Sequence, residues 1–432
     1  MKYNMKLIEI PYGSEVVRAS VPDDSVVFDG IMPKIPSIAD LEAAVLEKID
    51  NPSGCKPLKE IVSKSDRILI LIEDNTRQTP VKRILPVLIS YLENNEIKTS
   101  QIEILIATGT HRVMTEEEVI EKVGLDVFNS LKIYQHDFKK KEDIADLGTV
   151  KLGESTIPVH VNKRALEADF IIGLGNIVPH CDAGYGGGGK IVQPGICGLA
   201  TTASTHIAGA LLEEIPLGNA DNPCRLGIEK VAQRVGLRFI INTVMNADQK
   251  VVDVVAGDFV KAHREGSKIA ANVYGVDIPV LADITIVSSH PCNIDYWQAM
   301  KGLVSAYFTV KSGGYIIFVS PCSEGLEHNH PKLREWLKYS YSESCNLARQ
   351  ASLGDVSSDL VAADVAICNA RIREKANILT VSEGLTKEDI DVLGYEKFDT
   401  LQAAVDYALQ KIPNGKIGIL PRGGDCLPIK RQ

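Results

Sequence analysis

Short β-branched runs alternate with amphipathic stretches from Ile68 onward, and this alternation commits the chain to βα units around a largely parallel sheet. Residues 68–72, Ile-Leu-Ile-Leu-Ile, read as a buried strand, and residues 81–92 as the helix that follows. The next strand spans 102–107, and Thr115 with Glu118 gives a capping-box start to a helix through Val123. Segments 132–135, 157–161 and 169–174 are further strands, and 198–212 is a helix built from small residues. Residues 238–244 and 251–255 are strands, and 259–273 is a long helix.

A second series starts near Pro279, with strands at 284–288 and 314–319 and a helix at 296–310 between them. Helical stretches follow at 331–341, 355–366 and 400–411, and 416–420 is a final strand. A chain of 432 residues exceeds one compact core. The break at 275–279 divides it into an N-terminal α/β domain, 1–275, and a C-terminal α/β domain, 276–415, with 416–432 a candidate to complete the first.

Composition narrows the partners. The formal charge of −9 argues against nucleic acid, which needs a basic face to neutralise phosphates. The 9 cysteines are scattered, with no CxxC pair, so neither a zinc ribbon nor a disulfide framework is expected and a reducing cytoplasm is the natural compartment. The N-terminal residues carry no apolar run of signal-peptide length, and the uncharged stretch 191–212 is too polar to span a bilayer.

The chemistry-bearing residues follow strands. Asp74 and Arg77 lie just beyond the first strand, His111 just beyond the second, and His180 just beyond the strand at 169–174. Ligands of open parallel sheets sit beyond the carboxyl ends of the strands, so these residues are candidates for one site. For each alone the plainer role is a surface ion pair or a structural hydrogen bond; the shared placement favours the site.

The densest segment is 180–191, with four consecutive glycines before a lysine. Gly186, Gly187, Gly188 and Gly189 let the backbone approach a ligand and turn N–H groups toward an anion, so they are the candidate phosphate cradle. Gly184 to Lys190 has P-loop spacing, but Ile191 stands where a Mg²⁺-binding Ser or Thr is required, and Pro194 and Gly195 follow in place of a helix. A nucleoside triphosphatase is excluded on those grounds. Lys190, next to Ile191 and Val192, is a candidate nucleophile or covalent anchor. His206 sits among small residues that leave room for a bulky group, although a core histidine bonded to a carbonyl is an equal alternative.

Taken in order, Asp74-Asn75-Thr76-Arg77, Gly109-Thr110-His111, Pro179-His180 with the glycines to Lys190, His206 and Gln298-Ala299-Met300-Lys301-Gly302 resemble the nickel-dependent lactate racemase family over most of the chain. The resemblance implies two α/β domains with the active site in the cleft between them, the N-terminal one binding the cofactor. That cofactor is a nickel-pincer nucleotide, a pyridinium mononucleotide with two sulfur-bearing arms, made by separate biosynthesis enzymes. By this resemblance Lys190 tethers the cofactor through a thioamide and His206 completes the nickel coordination, a role suited to imidazole beside soft donors. His111 and His180 are the paired acid/base residues, and Arg77 binds the substrate carboxylate. Gln298 and Lys301 reach into the cleft, and Asp74 orients groups near Arg77 or the nucleotide.

The implied reaction is racemisation or epimerisation of a 2-hydroxy acid, lactate or a larger analogue. Hydride moves to the cofactor pyridinium and back through a 2-keto acid, avoiding removal of a weakly acidic C2 proton. Trp297 replaces the tyrosine common in the family and Gly186 a common serine, which shifts attention to substrate choice. His290, Arg112 and Trp336 are further pocket candidates, with surface or core roles the plainer reading. Two other readings compete: a zinc hydrolase using His111, His180, His206 and Asp182, and a cofactor-binding relative without turnover. No HExxH or CxxC supports the first.

Overall fold

The computed structural model describes residues 4–153, 155–327, 329–351 and 358–430. Two domains are built on two six-stranded sheets. The first orders its strands Val251–Gly257, Leu237–Met245, Phe170–Asn176, Ile68–Glu73, Ile102–Ala107 and Lys132–Gln135. Every neighbouring pair is parallel except Leu237–Met245 with the outer Val251–Gly257. Ile68 to Ile72 and all of Phe170–Asn176 are buried, because helices cover both faces; that is why these strands are continuous apolar runs in sequence.

The second sheet is parallel throughout, in the order Glu396–Lys397, Asn377–Val381, Val310–Val319, Ala282–Ser288, Ile417–Leu420 and Val26–Asp29. Its membership corrects two sequence expectations. Ile417–Leu420 does not complete the first domain; it lies between Ala282–Ser288 and Val26–Asp29, where Gly418 leaves the space that the Phe28 ring occupies. The N-terminal segment also belongs with the second sheet. The hairpin Met5–Tyr12 and Glu15–Pro22 buries Ile8, Ile10 and Val21 against Ile286, Ile317 and Leu379. Leu427–Lys430 pairs with Gly275–Ile278 at the crossing between the two units.

Other differences have local causes. The strand at 157–161 is half of a hairpin, Ile144–Leu152 with Ser155–Asn162, outside the main sheet. The helix Pro223–Val235 escaped sequence reading because buried Arg225 and Glu229 interrupt its apolar stripe. The expected helix at 331–341 is a single turn, Leu333–Trp336, before a new start at Tyr341 capped by Ser340. The helix expected at 355–366 runs Leu360–Lys375; positions 355–357 fall outside the described residues. No helix among the described residues is long and apolar enough to cross a membrane.

Strand order locates the ligand crevice. In the first sheet the chain proceeds from Ile68–Glu73 to one edge, then restarts at Phe170–Asn176 and proceeds to the other, so the order reverses between these two strands. In the second it reverses between Ala282–Ser288 and Ile417–Leu420. Such reversals open a crevice at the carboxyl ends of the strands.

The glycine tract beside the first reversal is fixed by Arg225. This fully buried guanidinium donates to the carbonyls of Ala183 at 3.2 Å, Gly187 at 3.1 Å and Tyr185. Burial, which opposes the charge, lowers its pKa to about 10. Replacing it strands three carbonyls in a dry interior. Arg225→Met is expected to lose about 3 kcal/mol of unfolding free energy in urea titration; a loss near zero would show that the loop stands without it.

Candidate active site

The two crevices face one cavity. Loops after Ile68–Glu73, Ile102–Ala107 and Phe170–Asn176 line it from the first domain; Pro291, Cys292, Arg422 and Gly424, all from loops at the second sheet's reversal, line it from the other side. Asp74, Arg77, His111 and His180 all border it, as do Lys190 and His206. Gln298 and Lys301 reach it from the helix Tyr296–Tyr307, whose N-cap Asp295 accepts from the Gln298 N–H at 2.8 Å.

One hydrogen-bonded chain crosses the cavity. His111 Nδ1 lies 2.7 Å from Asp74 Oδ2, and Asp74 Oδ1 accepts from the Thr76 N–H at 3.1 Å and hydroxyl at 2.5 Å. Burial alone would raise the Asp74 carboxyl, but His111, Arg77 and Thr76 outweigh it and hold the group well below its ordinary range. A carboxylate there fixes the His111 proton on Nδ1 and leaves Nε2 as acceptor. The Gln298 amide nitrogen approaches that Nε2 at 3.3 Å, and Lys301 Nζ donates to Gln298 Oε1 at 2.6 Å. The second domain therefore holds the outer face of an imidazole whose inner face is held by the first. Arg77, bonded to Thr76 Oγ1 at 2.9 Å, places its guanidinium on the same wall.

His180 is arranged differently. Its Nδ1 accepts from the Asp182 N–H at 3.1 Å and also lies 3.5 Å from the Asp182 carboxylate, while its Nε2 is 2.7 Å from Lys190 Nζ. Burial first, then the charges of Lys190, Lys301 and Arg77, pushes the ring's pKa well below the usual histidine range. Lys190 is pushed down to about 8 by burial and by Arg225 and Arg77. The Nε2 contact is a hydrogen bond in which the charged amine donates to the ring, or the ring to the free amine, according to the tautomer. A buried lysine with its pKa lowered to about 8 offers the free, nucleophilic amine far more readily than an exposed one.

His206, on the helix Leu199–Ala210, donates Nδ1–H to the Thr202 carbonyl at 2.9 Å, so Nε2 keeps its lone pair. Burial lowers its pKa, which favours the neutral ligand form. Asp182, His206 and Asp364 bring ligand atoms within 4.8 Å of one another, as do His180, Cys181 and Asp182. Neither set includes His111, and His111, His180 and His206 do not share one coordination sphere among the described residues. The zinc-hydrolase arrangement is therefore not assembled.

The four glycines divide. Gly186 and Gly187 border the cavity; Gly188 and Gly189 do not. The Gly186 N–H donates to the Val178 carbonyl at 2.7 Å and the Gly188 N–H to Asn242 Oδ1 at 2.8 Å. Gly188 lies against His263 and Gly189 against Ala232, where a Cβ would collide. Of the phosphate cradle expected from sequence, two glycines reach the cavity and two pack against neighbouring elements beside Lys190. Trp297 lines the cavity, while Arg112 pairs with Glu118 at 2.7 Å and Trp336 is buried with its N–H on the Ser358 carbonyl at 2.6 Å. His290 is half-buried and does not line the cavity. Asp364 and Arg422 were missed. Asp364 left a signal, a lone acid inside a helix whose residues 360–372 are all buried.

The chain is similar to known proteins in sequence and in fold. Residues 12–215 match the profile of the lactate racemase N-terminal domain, and residues 278–426 that of the lactate racemase C-terminal domain. Lactate racemase of Thermoanaerobacterium thermosaccharolyticum is 32% identical over 78% of this chain and 79% of its own, and that of Lactiplantibacillus plantarum is 29% identical over 97% and 99%. The structure of the T. thermosaccharolyticum lactate racemase apoprotein superposes with a TM-score of 0.86 at 27% identity, covering 99% of this chain and all of that one. A Thermotoga maritima protein shares the fold, with a TM-score of 0.70 at 20% identity over 93% of this chain and 100% of that one. Two profile matches spanning most of the sequence and a relative above 30% identity place the chain in the lactate racemase family, an isomerase of the racemase type.

Proposed function

We propose that this protein is a nickel-dependent racemase or epimerase of a 2-hydroxy acid, lactate or a larger analogue, with a nickel-pincer nucleotide tethered at Lys190. The observation that carries the reading is the convergence of a depressed lysine, an unprotonated His206 Nε2 and two histidines on one cavity. These residues fit the group: Lys190 Nζ has a lone pair for acylation, and His206 Nε2 is a neutral donor for nickel. When bound, the cofactor supplies a hydride acceptor and donor, which no side chain of the chain can provide.

The chain's own residues handle binding and protons. Arg77 and Lys301 present positive charge to the substrate carboxylate, Arg77 with a planar fork. His111 Nε2 takes the hydroxyl proton of one enantiomer, and the Asp74 carboxylate stabilises the resulting imidazolium. His180 serves the other enantiomer. Acylation of Lys190 removes the foremost charge that depresses His180, leaving burial and the remaining cations. The ring proton then moves to Nδ1, facing the Asp182 carboxylate, and Nε2 turns its lone pair to the substrate. The dependence on a cofactor made by separate enzymes follows from the same reading.

Protein co-produced with the cofactor-making enzymes and nickel is expected to erode the optical purity of at least one 2-hydroxy acid. His111→Ala and His180→Ala should each lower that rate at least ~100-fold. Inactivity of nickel-replete protein across a broad 2-hydroxy acid panel would contradict the reading, and full activity in either variant would remove the two-base scheme. Lys190 also gives a pH signature in the cofactor-free protein. A folded pKa lowered to about 8 means that the free amine accumulates as pH rises through 8. Labelling of Lys190 by a small acylating reagent, followed by peptide mass spectrometry, should rise with a midpoint near 8, against about 10.4 for exposed lysines. A midpoint at the ordinary lysine value would contradict the depressed amine.

A further inference from the structure

A side pocket opens beside His111. It shares Thr76, Thr110, His111, Trp297 and Gln298 with the main cavity and ends on His330. His330 is 5% exposed and stacks on Trp297, with ring centroids 4.3 Å apart and planes 11° from parallel. Its Nδ1 lies 3.0 Å and 3.1 Å from the two oxygens of Asp359, itself buried at the N-cap of Leu360–Lys375. The carboxylate fixes the ring proton on Nδ1. In the neutral ring Nε2 is then an acceptor, and it is buried with no hydrogen-bond partner among the described residues.

A buried acceptor without a donor is costly, so this atom points to a ligand group that donates. A carboxylate, keto or methyl substituent cannot do so. Asp295, Glu324 and Glu327 border the same pocket, and its one arginine, Arg112, is already paired with Glu118, so a second carboxylate is disfavoured there. Trp297 forms the wall that holds the imidazole plane in place.

We propose that the side pocket receives the chain beyond C2 of a 2-hydroxy acid bearing a further hydroxyl, and that this hydroxyl donates to His330 Nε2. His330 is thereby a specificity-determining residue, held by Asp359 and Trp297. The inference rests on the racemase reading above and names its substrate class.

The test compares matched pairs with the nickel-loaded enzyme: 2,3-dihydroxypropanoate against lactate, and 2,4-dihydroxybutanoate against 2-hydroxybutanoate. In at least one pair the hydroxylated member is expected to have a kcat/KM about tenfold or more above its partner. His330→Phe, which keeps a ring to stack on Trp297, should collapse that ratio toward one, and His330→Gln, which restores an acceptor, should recover part of it. Racemisation of the pairs without a preference, or a preference that survives His330→Phe, overturns the inference and leaves the racemase reading standing. A higher kcat/KM for malate or for 4-amino-2-hydroxybutanoate than for any hydroxylated member also overturns it, assigning the pocket to an acid or a cation. Loss of all 2-hydroxy acid turnover in the wild type defeats both readings together.

Discussion

The contact between Lys190 and His180 depends on a guanidinium that touches neither. Arg225 holds three carbonyls of the glycine-rich loop from within the core, and the loop can lie that close to the neighbouring elements because Gly188 and Gly189 have no Cβ. The result is a lysine driven out of water by its own backbone setting, with Arg225 and Arg77 adding repulsion that favours the neutral amine. Packing here creates reactivity: the groups that seat the loop also lower the pKa of the side chain it carries.

The two histidines receive opposite treatment from that scaffold. His111 is held by the Asp74 carboxylate, and its outer nitrogen is met by Gln298 from the other domain, whose amide oxygen accepts from Lys301. His180 is held by backbone N–H groups and surrounded by cations, which resist a proton. A racemase must serve both faces of one carbon, and the two histidines proposed for that task sit in unequal environments while Lys190 carries its charge. On the proposed reading, the contact between His180 and Lys190 ties the second histidine to the state of the lysine, and only His111 is ready before Lys190 is acylated.

The sequence disclosed those parts whose signal is local. Buried parallel strands show as apolar runs, and polar residues that follow them, Asp74, Arg77, His111 and His180, stand out against that background. Gly186 to Gly189 were visible too, but which of them reach the cavity was not, since the Gly188 N–H is taken by Asn242, over fifty positions away. Distant pairings were illegible for the same reason. Val26–Asp29 joins a strand almost four hundred residues later, and His330 finds Asp359 only when the second domain closes on itself. Buried polar residues in otherwise apolar helices, Arg225 and Asp364, were the nearest thing to a warning.

The proposed function requires one cavity to bring Lys190 and the His206 lone pair to a shared cofactor. Peptide mass spectrometry of protein co-produced with the cofactor-making enzymes tests it most directly. A nucleotide-sized mass increase is expected on the peptide containing Lys190, with nickel retained in wild type and depleted in His206→Ala. An unmodified Lys190 in protein that racemises at full rate would contradict it.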